Sequence, residues 1–333
     1  MYSETGGADV LRLVDRPVRI PGPGDVRVGV SVSGVNPTDC KARRAAQLPF
    51  PEVVPNQDGA GTIEAVGDGV DRGRVGERVW LWEAAWQRAD GTAQESVVLP
   101  ARQAVPLPDA ASFDLGASLG IPALTAHRCL TVSELGPRRL GPGVLSAQTV
   151  LVAGGAGAVG HAAIQLARWA GARVIATVSS DEKARLAQAA GADHVLNYRS
   201  GDTAGEIRGL APDGMDVVVE VAPAANAALD GAVLAPNGTV AVYAANGGGG
   251  DVALSTRELM FRNVRYQFVL VYTVTREAKD HAVADVGAAV AAGVLEVGDD
   301  AGLPLHRFPL EEGAEAHAAV EGGAVGKVLI DVG

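Results

Sequence analysis

Cysteine is almost absent from this chain, and the shortage sets its first limits. Two thiols, Cys40 and Cys129, in 333 residues allow neither a disulfide framework nor a four-thiolate zinc lobe. Basic residues are also in short supply: 28 Lys and Arg against 39 Asp and Glu leave a formal net charge of −11. Such a surface has no field to attract phosphate backbones or anionic lipid, which argues against nucleic acid or a membrane as partner. Aromatic residues reach only 4% while glycines number 43, so a small-residue α/β interior is expected. The chain does not open on a basic stretch followed by an apolar core and a cleavage site, and a cytoplasmic location is expected. One uncharged run, Thr149–Ala167, is long enough to span a bilayer. Glycines interrupt it directly after a strand-like segment, so a buried turn fits it better.

What remains is a soluble globular composition, 47% hydrophobic and 20% charged, in a chain long enough for two domains. Its most informative stretch is TVLVAGGAGAVG, Thr149–Gly160. A β-branched run leads into Gly155-x-Gly157-x-x-Gly160, and an alanine-rich helical pattern follows from Ala158. A dinucleotide pyrophosphate needs this order of parts. One glycine makes the tight turn, the second lets the backbone approach the phosphates, and the third lets helix and strand pack closely. The helix N-terminus then offers free N–H groups to the anion. Gly155, Ala156, Gly157, Ala158, Val159 and Gly160 are therefore candidate cofactor-binding residues.

The next strand pattern, Arg173–Val178, ends where an NAD-binding unit normally carries an acid for the ribose hydroxyls. Here Val178 is followed by Ser179, Ser180 and, slightly further on, Lys183. Hydroxyls and an ammonium suit a 2′-phosphate, which an acid would repel. NADPH is the expected cofactor, with an ordinary solvated helix lysine as the alternative for Lys183.

Along the chain, residues 9–35 read as short strands and turns, in the segments 10–14, 17–26 and 27–35, and the β pattern continues between 51 and 107, a β-rich region. From 149 the rhythm changes to alternating strands and helices. Strands read at 149–153, 173–178, 193–196, 216–221 and 239–243, with helices at 158–170, 181–190, 203–210 and 225–234. This predicts a doubly wound parallel sheet. The tail returns to β character at 303–309 and 327–331, around a helix at 310–321. The cofactor domain is therefore expected to be inserted within the other. The loops Gly136–Gly143 and Gly247–Gly250 read as surface connections or active-site lips.

Six motifs in order carry a resemblance over nearly the whole chain. They are GVNPTD (Gly34–Asp39), GAGTIEAVG (Gly59–Gly67), GERV (Gly76–Val79), LGIPALTA (Leu119–Ala126), the glycine turn, and LNYR (Leu196–Arg199). Together they resemble the zinc-independent, zeta-crystallin-like quinone oxidoreductases of the medium-chain dehydrogenase/reductase superfamily. The resemblance implies a GroES-like β-rich domain over residues 1–120 and 265–333 and an inserted Rossmann domain over 121–264. It also implies a homodimer and hydride transfer from NADPH. Zinc-dependent relatives place ligands where Asn36, Gln57, Asp58 and Ile121 stand, so no metal is expected. Without a Lewis acid the acceptor must already be conjugated, a quinone or an α,β-unsaturated carbonyl. A dedicated enoyl or enone reductase and a non-catalytic NADPH-binding or RNA-binding protein are the alternatives.

By matching position, Tyr198, Tyr243, Ala244, Ala245, Phe268, Val269 and Leu270 join the cofactor candidates, while Thr125 and His127 read as hydrogen-bond partners of cofactor or substrate or as helix-surface packing. Tyr198 is either on the adenine ribose side or a packing tyrosine, and 268–270 is either beside the nicotinamide or a core or dimer-edge strand. For catalysis, Asn36 is a candidate donor to a substrate oxygen or the cofactor ribose, with a turn asparagine as the alternative. Lys41 is a candidate proton donor or a solvated lysine, and Gln57 borders the substrate or satisfies buried backbone. Trp82, in the cluster Trp80, Trp82 and Trp86, is a candidate platform for a flat acceptor or a core residue. Cys40 reads as an inert small hydrophobe.

Overall fold

The computed structural model describes residues 1–245 and 250–333. Except for Gly250, the Gly247–Gly250 run lies outside the described residues. The chain divides into two compact units, Met1–Ile121 with Pro304–Gly333, and Pro122–Leu303.

The first unit begins with β1 (Asp25–Val35), α1 (Pro37–Arg43), β2 (Asp58–Val66), β3 (Arg78–Leu81), β4 (Ser96–Pro100) and β5 (Ala104–Pro106). Alternation along β1 sends Val26, Val28 and Val30 inward to meet Ile63, Val79, Leu81, Val97 and Leu99. Of the β character expected at 10–14 and 17–26, no strand forms before β1 begins at Asp25. Pro17, Pro21 and Pro23 supply no N–H to a ladder, and Leu13, Val18 and Ile20 stay exposed. Helix α2 (Phe113–Leu130), unmarked in the sequence because Gly116, Gly120 and Pro122 interrupt it, runs across the boundary at Ile121.

The second unit continues with β6 (Thr149–Ala153), α3 (Ala158–Trp169), β7 (Arg173–Val178), α4 (Asp181–Ala189), β8 (His194–Asn197) and α5 (Thr203–Leu210). It is completed by β9 (Met215–Glu220), α6 (Pro223–Val233), β10 (Leu234–Val242), α7 (Thr256–Phe261), β11 (Arg265–Phe268) and α8 (Arg276–Ala291). The strands form one parallel sheet in the order β11-β10-β9-β6-β7-β8. Buried on both faces, they read as near-continuous apolar runs such as VVVE and VLVA. The order reverses beside β6, the switch point at which doubly wound sheets bind their ligands.

The boundary expected at 264/265 instead falls at 303/304. Strand β11 pairs with β10, Tyr266 opposite Val240, so residues 265–303 belong to the parallel-sheet unit. The Gly136–Gly143 loop is tied down at its middle. Buried Asp285 on α8 accepts Arg139 Nε at 2.8 Å, Leu140 N–H at 2.7 Å and His127 Nε2 at 2.8 Å. Burial alone would raise the Asp285 carboxyl, but these donors outweigh it and hold it down to about 2.

The first unit closes with β12 (Leu305–Pro309), α9 (Gly313–Glu321) and β13 (Lys327–Asp331). β13 runs antiparallel beside β1, with Val328 opposite Val35, which delivers Lys327 next to the start of α1. Among the described residues, no helix is long and apolar enough to cross a membrane.

Candidate functional site

A parallel sheet gathers the carboxyl ends of its strands on one edge, and the candidate cofactor residues follow those ends. Gly154–Gly160 comes after β6, Ser179–Lys183 after β7, Tyr198 after β8, Tyr243–Ala245 after β10, and Phe268–Leu270 at the end of β11.

The glycines divide their labour differently from the expectation. The left-handed turn residue is Gly154, with φ +71°, one position before the expected motif. Gly155 instead makes room for packing, since a Cβ there would lie 2.9 Å from Ala176 Cβ and 3.2 Å from Ala187 Cβ. At Gly160 a Cβ would clash with the Gly154 carbonyl, so α3 could not start against the turn. Gly157 caps α3, and a Cβ there would find only the Gly154 oxygen, at 3.5 Å. This side is open, and the first N–H groups of α3, on Ala158, Val159 and Gly160, have no acceptor within the helix. An unobstructed helix N-terminus of this kind fits a pyrophosphate.

At the end of β7, Val178 is buried and offers no acid. Lys183 Nζ donates to Ser179 Oγ at 3.2 Å, so a hydroxyl and an ammonium stand together at the surface. Ser180 plays a different part, its Oγ capping α4 by accepting Lys183 N–H at 3.3 Å. Tyr198 N–H bonds the Val178 carbonyl at 3.0 Å, which brings its ring to the same strand end. The ring is exposed rather than packed. Thr125 is buried on α2, and Val269 is buried with its N–H on the Val242 carbonyl at 2.7 Å. Phe268 and Leu270 are exposed, so 268–270 is not a core strand.

In the first unit a buried polar cluster surrounds Asn36. Its Nδ2 donates to Asp58 Oδ2 at 2.7 Å, and its Oδ1 accepts Lys327 Nζ at 2.8 Å. Lys327 also lies 3.4 Å from Asp58 Oδ2, while Asp58 Oδ1 accepts Ile121 N–H at 2.8 Å. Asp39 accepts Asn36 N–H at 2.8 Å and also the Gln57 N–H. Two glycines clear the space: a Cβ at Gly120 would strike Asp58 Oδ1, and one at Gly34 would sit 3.0 Å from Lys327 Cε. Burial raises the Asp58 carboxyl and lowers the Lys327 ammonium. Burial, reinforced by the Asp58 charge, pushes Asp39 up to about 7.

The other catalytic candidates stand elsewhere. Lys41 is exposed on α1. Gln57 is buried, its Oε1 accepting Ala85 N–H at 3.1 Å, so it supports the 82–88 loop backbone. Trp82 is 1% exposed, with the Arg102 guanidinium 5.1 Å from its ring centre; it is a core residue rather than an open platform. Cys40 is buried and its thiol is pushed up to about 12 by burial, which makes it inert. Sequence reasoning missed Lys327, Asp39 and Gly154. The available signals were a lysine opening the apolar run Lys327–Ile330, an Asn-x-x-Asp capping pattern at 36–39, and a second glycine before the motif.

Positions 36, 57, 58 and 121 thus present two amides, one carboxylate already paired with Lys327, and a backbone N–H. No thiolate or imidazole stands there to bind zinc. Among the described residues, no group of three His, Cys, Asp or Glu is placed to hold a metal ion.

A β-rich unit interrupted by a doubly wound dinucleotide-type sheet defines a medium-chain dehydrogenase/reductase. Residues 22–109 match the alcohol dehydrogenase GroES-like domain, and residues 158–286 match the family described as zinc-binding dehydrogenase. The rat quinone oxidoreductase is 32% identical over 98% of this chain and 95% of its own length. A solved NAD-dependent alcohol dehydrogenase superimposes with a TM-score of 0.83 at 30% identity, covering 99% of this chain and 98% of that one. A mycobacterial protein solved in complex with NADPH gives 0.79 at 31% identity, with the same coverage. The chain belongs to the quinone oxidoreductase family of that superfamily, the zinc-independent type, and is an oxidoreductase.

Proposed function

We propose that this oxidoreductase uses NADPH to reduce a quinone or an α,β-unsaturated carbonyl. The observation that carries the cofactor reading is the pairing of Ser179 Oγ with Lys183 Nζ at 3.2 Å beside a strand end where Val178 stands in place of an acid, Asp181 and Glu182 lying in the first turn of α4. Bound there, NADPH supplies the hydride. Lys183 and Ser179 hold the 2′-phosphate, the start of α3 holds the pyrophosphate past Gly157, and Tyr198 lies against the adenine ribose. Thr125, Tyr243–Ala245 and Phe268–Leu270 border the nicotinamide half.

As hydride reaches a conjugated acceptor, negative charge gathers on its oxygen. Asn36 meets that charge with a neutral donor, and its commitment to Lys327 and Asp58 keeps it from reorienting during the step. A simple ketone or alcohol would need stronger polarisation than an amide offers, which is why the acceptor class is restricted. The same reading has the chain acting as a homodimer. Its support is the exposed apolar set Met260 and Phe261 at the end of α7, Phe268 on edge strand β11 and Leu270 just after it.

The test is NADPH oxidation followed at fixed protein against a panel of quinones, enones, saturated ketones and primary alcohols. Turnover of quinones or enones alone is expected. Turnover confined to one enone class would mark a dedicated enone reductase. Turnover of simple alcohols, or none with any acceptor, would overturn the reading.

A further inference from the structure

We propose that Lys327 and Asp58 are positioning residues for Asn36, which together lock its amide as a hydrogen-bond donor with a fixed positive charge behind it. The proposal rests on the reading that Asn36 meets the acceptor oxygen. It adds two residues, one of them 291 positions away in sequence.

An asparagine amide can be turned over, exchanging oxygen and nitrogen at little intrinsic cost. Here only one orientation works. Asp58 is an ionised acceptor and requires the NH2 group; Lys327 is an ammonium and requires the oxygen. The observed contacts, Nδ2 to Asp58 at 2.7 Å and Oδ1 to Lys327 at 2.8 Å, satisfy both. Turning the amide over would set oxygen against carboxylate and NH2 against ammonium, losing two charge-assisted bonds. Asp58 is held in turn by Ile121 N–H on its other oxygen, so the clamp has a rigid base.

One Nδ2 hydrogen is thereby spent, and the second has no acceptor among the described residues. It is the donor left for an acceptor oxygen. The ammonium on the amide oxygen draws electron density from nitrogen and strengthens that N–H, as hydrogen bonds in series do at low dielectric. The cluster is also built for charge. Asp39, Asp58 and Lys327 are each at most 3% exposed, and the Asp58 carboxylate, 3.4 Å from Lys327 Nζ, holds that positive charge in the interior. Delivery depends on topology, because β13 lies beside β1 and sets Lys327 next to the residue that follows Val35.

Substituting Asn36 itself does not isolate this effect, since Lys327 and Asp58 would both lose a partner. The informative comparison is Lys327→Met, Asp58→Asn and the double variant, which removes both charges and keeps the volumes. Three quantities are read: the Asn36 side-chain amide signals in protein carrying 15N-asparagine, the unfolding midpoint, and kcat and KM with NADPH and a quinone. The amide signals are assigned by their absence in Asn36→Ala.

Lys327→Met alone is expected to be strongly destabilised. The double variant should recover most of the midpoint and keep wild-type NADPH affinity. Its Asn36 amide signals should still move toward those of a mobile amide, and kcat should fall tenfold or more with little change in KM. Asp58→Asn, which retains Lys327, should lie between and keeps the measurement possible if both methionine variants misfold. A double variant that recovers wild-type kcat along with its midpoint, or Asn36 signals unmoved in the double variant and in Asp58→Asn, would overturn the proposal. If wild-type protein reduces no acceptor, the functional reading fails, while the amide signals still decide the clamp.

Discussion

Asp39→Asn is expected to make the β-rich unit more stable relative to wild type as pH rises. Asp39 is buried between two backbone donors and close to the Asp58 charge, and its carboxyl titrates at about 7 against an ordinary value of 3.8. A raised carboxyl favours the folded state most fully below pH 3.8, and that advantage is lost as pH climbs towards 7, because the unfolded chain releases its proton first. At about 1.4 kcal/mol per pH unit, Asp39 costs roughly 1.5 kcal/mol at pH 5 and roughly 4 kcal/mol at pH 8. Asparagine does not titrate. Its NH2 also faces one of the two donors, which adds an offset that does not vary with pH. The difference in unfolding free energy, variant minus wild type, should therefore rise by about 2.5 kcal/mol between pH 5 and 8. Urea unfolding followed by tryptophan fluorescence in a Trp169→Phe background measures it locally, because the remaining Trp80, Trp82 and Trp86 share the unit with Asp39. Changes common to both proteins cancel in the difference. A value constant across that range would refute the assignment of a near-neutral, proton-holding Asp39.

Two further outcomes test the cofactor cradle. Lys183→Ala removes the ammonium beside Ser179 and should weaken NADPH binding by about 1–2 kcal/mol, roughly 5- to 30-fold, in isothermal titration while leaving NADH unchanged. Equal binding of both cofactors by the unmutated protein would defeat it. Gly157→Ala should fold normally, its Cβ meeting nothing nearer than 3.5 Å, yet bind NADPH poorly. Gly160→Ala should instead lower the thermal midpoint sharply, because its Cβ collides with the Gly154 carbonyl; similar behaviour of the two variants would contradict the division of roles.

Much was legible in the residues alone. The strand–glycine–helix order at 149–169 and the strands β7, β8 and β9 appear within a residue or so of their expected places, because period and turn chemistry are local properties. The absence of an acid at Val178, and of thiolates or imidazoles at 36 and 57, was equally plain, since it depends on identity and not on placement. Other readings failed where local signals conflict with packing. Helix α2 forms through Gly116, Gly120 and Pro122 because burial of Leu119, Ala123, Leu124 and Ala126 outweighs their poor propensity. Residues 11–24 look strand-like but find no ladder partners.

Composition and short-range pattern, then, determined the class of fold, the dinucleotide turn and the absence of thiolates and imidazoles at the matched positions. Tertiary structure alone decided which polar groups meet. Lys327 reaches Asn36 only because β13 pairs with β1, and Asp58 reaches Ile121 only because Gly120 leaves room for it. Trp82, a plausible platform in sequence, is buried under Arg102 for the same reason: side-chain surroundings are set by neighbours brought from distant parts of the chain. The charge states of Asp39, Asp58 and Lys327 follow from that meeting, since desolvation and pairing act only once the chain has closed around them.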